Sequence, residues 1–158
     1  MKSEKFEEWL ERNKLSLKCK PRTQRASYLD FFEGEFKGEK VPEFKRGEIY
    51  FAKLTQSAKI RPFLIYQNDY LNKACFEGLY HTVVVLPLSG QILGGDYRIL
   101  IKKRDLMSKD SEIVATAIGI ISTGKIIFSK GLVTKLREEE MKQVDEAVMK
   151  VLGVNIAI

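Results

Sequence analysis

Apolar and polar positions follow two periods along this chain, and the change of period divides it. In "SEKFEEWLERN" (3–13) the apolar positions Phe6, Trp9 and Leu10 recur at helical spacing. Ser3 is placed to cap that helix, and Glu4, Glu7 and Glu8 lie where the helix dipole favours negative charge. "SYLDFFEGEF" (27–36) repeats the helical spacing with Tyr28, Leu29, Phe32 and Phe36, predicting a second short helix. "KGEKVPEFKRGE" then reads as a linker with a boundary near Pro42.

From Arg46 onward the period becomes that of strands. "GEIYFAKL", "PFLIYQ", "TVVVLPL" and "YRILIKK" are short runs rich in Val, Ile, Tyr and Phe, separated by turn-forming Gly, Asn, Asp and Ser. Gly94-Gly95-Asp96 accept positive φ at low cost and predict a hairpin between "QIL" and "YRILI". "EIVATAIGIIS" and "KIIFSKGLVTKL" predict two further strands, the first equally compatible with a buried helix of the same length. "REEEMKQVDEAVMKVLG" returns to helical spacing, with Met141, Val144, Val148, Val151 and Leu152 on one face, acids at its start and Gly153 after it. The predicted class is mainly β with helices (α+β): a helical, basic extension over residues 1–44, then a β domain over residues 45–158 ending in a helix.

Composition narrows the chemistry. The 158 residues are 44% apolar, enough for one real core and an appendage. With 27 Lys and Arg against 21 Asp and Glu, the net charge of +6 permits a polyanionic partner without requiring one. Part of that charge is local: six cations and no acid lie between Arg12 and Arg25, where Pro21 interrupts any helix. Cys19 and Cys75 lie far apart outside any CxxC pattern, so free thiols in a reducing cytoplasm are expected. No apolar run is long enough to span a membrane, and residues 1–13 lack the apolar segment of a secretion signal. GxGxxG, the P-loop lysine motif, HExxH and carboxylates at metal-binding spacing are all missing, so no metal or cofactor is expected. The single histidine, His81, excludes a ribonuclease built on two histidines.

Two stretches remain that can carry chemistry. In "KIRPFLIYQND" (59–69) a cation stands at the mouth of a core strand that leaves through Gln67-Asn68-Asp69, and in "LPLSGQ" (86–91) a strand ends in a hydroxyl, a glycine and an amide. Taken in order, "RGEIYFAKL", "RPFLIYQND", "VVVLPLSGQ" and the closing helix resemble the MazF/PemK family of toxin endoribonucleases over about residues 45–153. That resemblance implies a small SH3-like barrel of the CcdB/MazF type, a homodimer, and a cognate antitoxin that blocks the groove. It further implies metal-independent cleavage of single-stranded RNA to 2′,3′-cyclic phosphate and 5′-OH ends. The family's catalytic Arg and Thr/Ser fall on Arg61 and Ser89, and RNA contacts are expected from Gln91, Lys59, Lys125, Lys102, Lys103 and Arg104.

Three features depart from the family pattern. Only "TQSAK" separates Leu54 from Ile60 in the first loop, Gly131 in "GKIIFSKGL" stands where an arginine is usual, and the basic extension lies outside the minimal domain. Two other readings share these residues. The gyrase-poisoning CcdB toxins use the same barrel to grip a protein, and a nucleic-acid-binding module could use the 12–25 segment and Lys102-Lys103-Arg104 without turnover.

Overall fold

The computed structural model describes residues 4–17 and 41–155. The elements within them are helix α1 (Phe6–Leu17), strands β1 (Glu48–Ala52) and β2 (Arg61–Ile65), helix α2 (Asp69–Phe76), strands β3 (Thr82–Ser89), β4 (Arg98–Ile101), β5 (Ser111–Val114), β6 (Gly119–Ser122) and β7 (Leu132–Lys135), and helix α3 (Glu138–Leu152). All strand pairs are antiparallel, in the order β4-β5-β3-β2-β1-β7, with β6 on the N-terminal half of β3. The sheet curls into a half-barrel closed by the C-terminal helix.

Alternation along the strands sorts side chains onto two covered faces. Ile49, Leu64, Leu86, Leu88, Ile113 and Val133 meet Met141, Val144, Ala147 and Val148 of α3. The intervening positions Tyr50, Ala52, Phe63, Ile65, Val83 and Val85 form a second core with Phe44, Cys75 and Ile126. A sheet buried on both faces explains why β2 and β3 read as nearly continuous apolar runs. α3 forms where its pattern predicts, with Met141, Val144 and Val148 buried but Leu152, counted on the same face, exposed in its last turn, and the Arg137 N–H donates to Glu140 at 2.8 Å across its first turn.

Four expectations need correction. The 112–122 run is neither one strand nor a helix: a 3₁₀ turn at Ala115–Ala117 divides it into β5 and β6, which pair with different halves of β3. The 125–136 run supplies only β7, after 3₁₀ turns at Thr123–Lys125 and Phe128–Lys130. Gly94 and Gly95 do adopt positive φ, 71° and 101°, but no hairpin forms there because β4 pairs with β5. Finally, Gln67-Asn68-Asp69 is a helix start: Asn68 Oδ1 accepts from the Leu71 N–H at 2.9 Å and begins α2. Buried Gln67 fastens α2 to the sheet, accepting from the Val84 N–H at 3.0 Å and donating to Asn72 Oδ1 at 3.0 Å.

α1 lies against α2 through stacked rings. Trp9 is 5.3 Å from Tyr70 between centroids and 5.9 Å from Phe6, and Lys73 Nζ lies 4.4 Å over the Phe6 ring. The Tyr70 hydroxyl donates to the Glu4 carbonyl. Trp9 is buried and Phe6 and Leu10 are half-buried, on the face their spacing predicts. The capping role of Ser3, the second helix of 27–36, Cys19 and most of the basic segment lie outside the described residues.

Candidate functional site

Strand pairing brings one row of side chains across the sheet. β1 and β2 pair Ala52 with Arg61, β2 and β3 pair Phe63 with Pro87, and β3 and β5 pair Ser89 with Glu112. The β2–β3 pairing ends at Phe63 and Pro87, and a register extended by two residues would set Arg61 opposite Ser89 at one end of the sheet. Strand alternation turns both side chains to the face away from α3. Arg61 is exposed and has no ion-pair partner among the described residues. It is the first residue of β2, and Pro62 beside it fixes φ at the strand's start.

Ser89 closes β3, and its Oγ accepts from the Gln91 N–H at 3.2 Å. A hydroxyl has one proton and two lone pairs, so this turn occupies a lone pair and leaves the proton to donate outward. The segment that follows is fastened underneath by an ion pair. Glu112, 2% exposed, accepts from Arg98 Nε and from the Gly94 N–H at 2.9 Å, while Arg98 Nη2 donates to the Gln91 carbonyl at 2.9 Å. Arg98 holds the Glu112 carboxyl below the usual carboxylate range, against the opposing effect of burial and with help from the Gly94 and Leu93 N–H groups. Sequence reasoning missed this pair, because Arg98 and Glu112 are 14 residues apart and only the β4–β5 ladder makes them neighbours.

On the β1 side of Arg61 an open cleft of about 360 Å³ is lined by Lys53, Thr55, Gln56, Gly124 and Lys125. The Lys53 N–H donates to the Lys125 carbonyl at 3.0 Å, which sets two cationic residues side by side. Lys53 was not singled out from the sequence, where it is one more lysine after a strand. Lys59 is exposed on the same β1–β2 loop and Gln91 is exposed beyond Ser89. The remaining expected contacts lie elsewhere. Lys102 pairs with Asp110 at 3.3 Å and Lys103 is exposed, both just after β4. Arg104 is used internally: it reaches both Glu140 oxygens, at 3.0 and 2.8 Å, the Thr134 hydroxyl at 3.1 Å and the Lys135 carbonyl at 2.9 Å. Those bonds tie β7 and α3 together and leave its guanidinium little to offer a ligand. His81 precedes β3, so the whole eight-residue strand separates it from Ser89. Gly131 has φ 79°, a conformation that an arginine in its place would adopt only with strain.

A half-barrel closed by a C-terminal helix, with lysines near one end of its sheet, defines a small α+β protein. Residues 45–152 match the family model of the PemK-like, MazF-like toxin of type II toxin-antitoxin system, and the chain belongs to that family. Solved structures share the fold. An endoribonuclease in complex with its cognate antitoxin from Mycobacterial species aligns at TM-score 0.59 with 17% identity, over 72% of this chain and 99% of that one. Mycobacterium tuberculosis toxin MazF-mt6 aligns at 0.57 with 16% identity, over 69% and 99%. A MazE-MazF structure from Deinococcus radiodurans aligns at 0.56 with 13% identity, over 74% and 100%.

Proposed function

We propose that the protein is a toxin endoribonuclease that cleaves single-stranded RNA without a metal, through Arg61 and Ser89. The observation that supports this reading is the β2–β3 register, Phe63 opposite Pro87, whose extension by two residues would bring Arg61 and Ser89 together at one end of the sheet. In the reaction the 2′-oxygen attacks the adjacent phosphorus, a bond forms between them, and the bond from phosphorus to the 5′-oxygen breaks. The products are a 2′,3′-cyclic phosphate and a 5′-OH. Charge accumulates on the non-bridging oxygens during attack. A planar guanidinium can grip two of these oxygens at once, and the Ser89 proton can reach one. An arginine does not give up its proton near neutral pH, so Arg61 acts as a clamp and not as a base. With His81 at the far end of β3, the 2′-OH proton goes to solvent and solvent reprotonates the 5′-oxygen.

Lys53, Lys59, Lys125 and Gln91 surround this end and supply sequence-blind phosphate contacts and an amide for a base edge. A cognate antitoxin is the expected inhibitor, and a homodimer the expected assembly, since two copies would extend a short one-subunit face into a groove. Incubating the purified protein with a long mixed-sequence RNA in EDTA tests the reaction. Fragments with cyclic phosphate and 5′-OH ends support it. RNA bound but left intact favours the non-catalytic module, and RNA neither bound nor cut favours a protein target.

A further inference from the structure

The turn that follows Ser89 carries a cation that comes from another part of the chain. Lys109, just before β5, lays its side chain across Gly90: a Cβ built on Gly90 would fall 2.5 Å from Lys109 Nζ and 3.1 Å from its Cδ. Gly90 does not have positive φ, so glycine here is a matter of room and not of backbone conformation. Any larger residue would push the ammonium away from the Ser89 turn.

The carboxylates nearest to Lys109 along the chain are already engaged. Asp110 accepts from the Lys103 N–H at 2.7 Å and from Lys102 at 3.3 Å, and Glu112 is held by Arg98 and the Gly94 N–H. Lys109 has no ion-pair partner among the described residues. An ammonium with no ion-pair partner among the described residues therefore lies over Gly90, the residue next to the Ser89 that the proposed reaction uses.

We propose that Lys109 is a phosphate anchor of this site, binding a phosphodiester of single-stranded RNA as the strand passes Ser89, with Gly90 as the gap that admits its side chain. The inference rests on the RNA-cleaving reading of the site. A lysine is a hydrated point charge on a flexible stem, so the contact is sequence-blind and formed in the ground state. Loss of Lys109 then acts on affinity and KM more than on kcat.

The test uses an oligodeoxynucleotide, which has no 2′-OH to attack, for binding and the matching ribo-oligonucleotide for cleavage. Both are followed across a salt series in the full-length wild type, Lys109→Ala, Lys109→Arg and Gly90→Ala. Lys109→Ala is expected to weaken binding several-fold at low salt and to flatten the log–log salt slope by about 0.7, the value for one phosphate contact on a single strand. Lys109→Arg keeps the slope, while Gly90→Ala weakens binding although every charge remains. Unchanged affinity and slope in Lys109→Ala, or a fall in kcat with affinity intact, overturns the anchor. If the wild type binds the deoxy strand and never cuts the ribo strand, the cleavage reading fails while a flattened slope in Lys109→Ala still upholds the contact. Binding of neither strand overturns both.

Discussion

Tyr70→Ala tests how the N-terminal helix is held. Tyr70 is the platform on which α1 stacks: Trp9 lies 5.3 Å and Phe6 6.3 Å from its ring centroid, and its hydroxyl donates to the Glu4 carbonyl. Each ring pair contributes about 0.5–1.5 kcal/mol beyond burial, and the hydrogen bond about 1 kcal/mol. Removing all three costs α1 about 2–4 kcal/mol of docking free energy, or roughly 30- to 700-fold in its docking equilibrium. The two sheet cores contain none of these rings, so the barrel should keep its stability. The assay is direct because Trp9 is the only tryptophan in the chain, and its fluorescence reports α1 alone. In Tyr70→Ala the Trp9 emission is expected to move to longer wavelength and to titrate at lower urea than the far-UV dichroism of the barrel. Lys73→Ala, which removes only the charge over Phe6, should cost about 0.5–1 kcal/mol. An unshifted Trp9 emission with coincident transitions in Tyr70→Ala would refute the reasoning. RNA cleavage that persists with α1 released would give α1 a packing role with no part in the site.

Arg61→Ala should abolish cleavage with an unchanged Tm, because the side chain is exposed, and Arg61→Lys should restore little because a point charge lacks the two-pronged grip; full activity in the lysine variant removes the clamp. Ser89→Ala should slow cleavage by about 10- to 1000-fold, with Ser89→Thr tolerated, and an unchanged rate would reduce Ser89 to a turn residue. The Glu112 and Glu140 carboxyls titrate lower in the folded state than in the unfolded chain, so their stabilisation is present above the ordinary glutamate pKa of about 4.3 and is lost as pH falls through the folded values. Tm should therefore drop below about pH 4, less steeply in Glu112→Gln, and equal slopes in wild type and variant would contradict the role of the Arg98 pair. Sedimentation at micromolar concentration should give a dimer, and an active monomer would contradict the two-subunit groove.

The strands and the terminal helices were readable wherever a local rule decides. β1, β2 and β3 follow from short runs rich in β-branched and aromatic residues bounded by turn formers, and α3 from its apolar face, its acidic first turn and Gly153. α2 was hidden because Gln67-Asn68-Asp69 suits a turn and a helix cap equally. The choice came from Gln67, whose buried amide must find partners on β3 and α2. The break between β5 and β6 was unreadable for a related reason. "EIVATAIGIIS" has no breaker residue at its centre, and the 3₁₀ turn exists so that one run can pair with two halves of β3.

The same division runs through the site. Residue types were legible from the sequence, because a guanidinium beside proline and a hydroxyl before glycine declare their chemistry wherever they fall. Their number and charge bounded what the protein could bind. Neighbourhood was decided by the tertiary structure alone: β2 pairs with β3 as far as Phe63 and Pro87, two residues short of Arg61 and Ser89, Arg98 finds Glu112 across a ladder, and Arg104 is drawn to Glu140, 36 residues away. Lys102, Lys103 and Arg104 look alike as a run of cations, yet Arg104 is tied to α3, while Lys109, which the sequence does not single out, lies over Gly90. Charge is a property of each residue, but whether it is neutralised or left for a ligand depends on what the folded chain brings within about 4 Å of it.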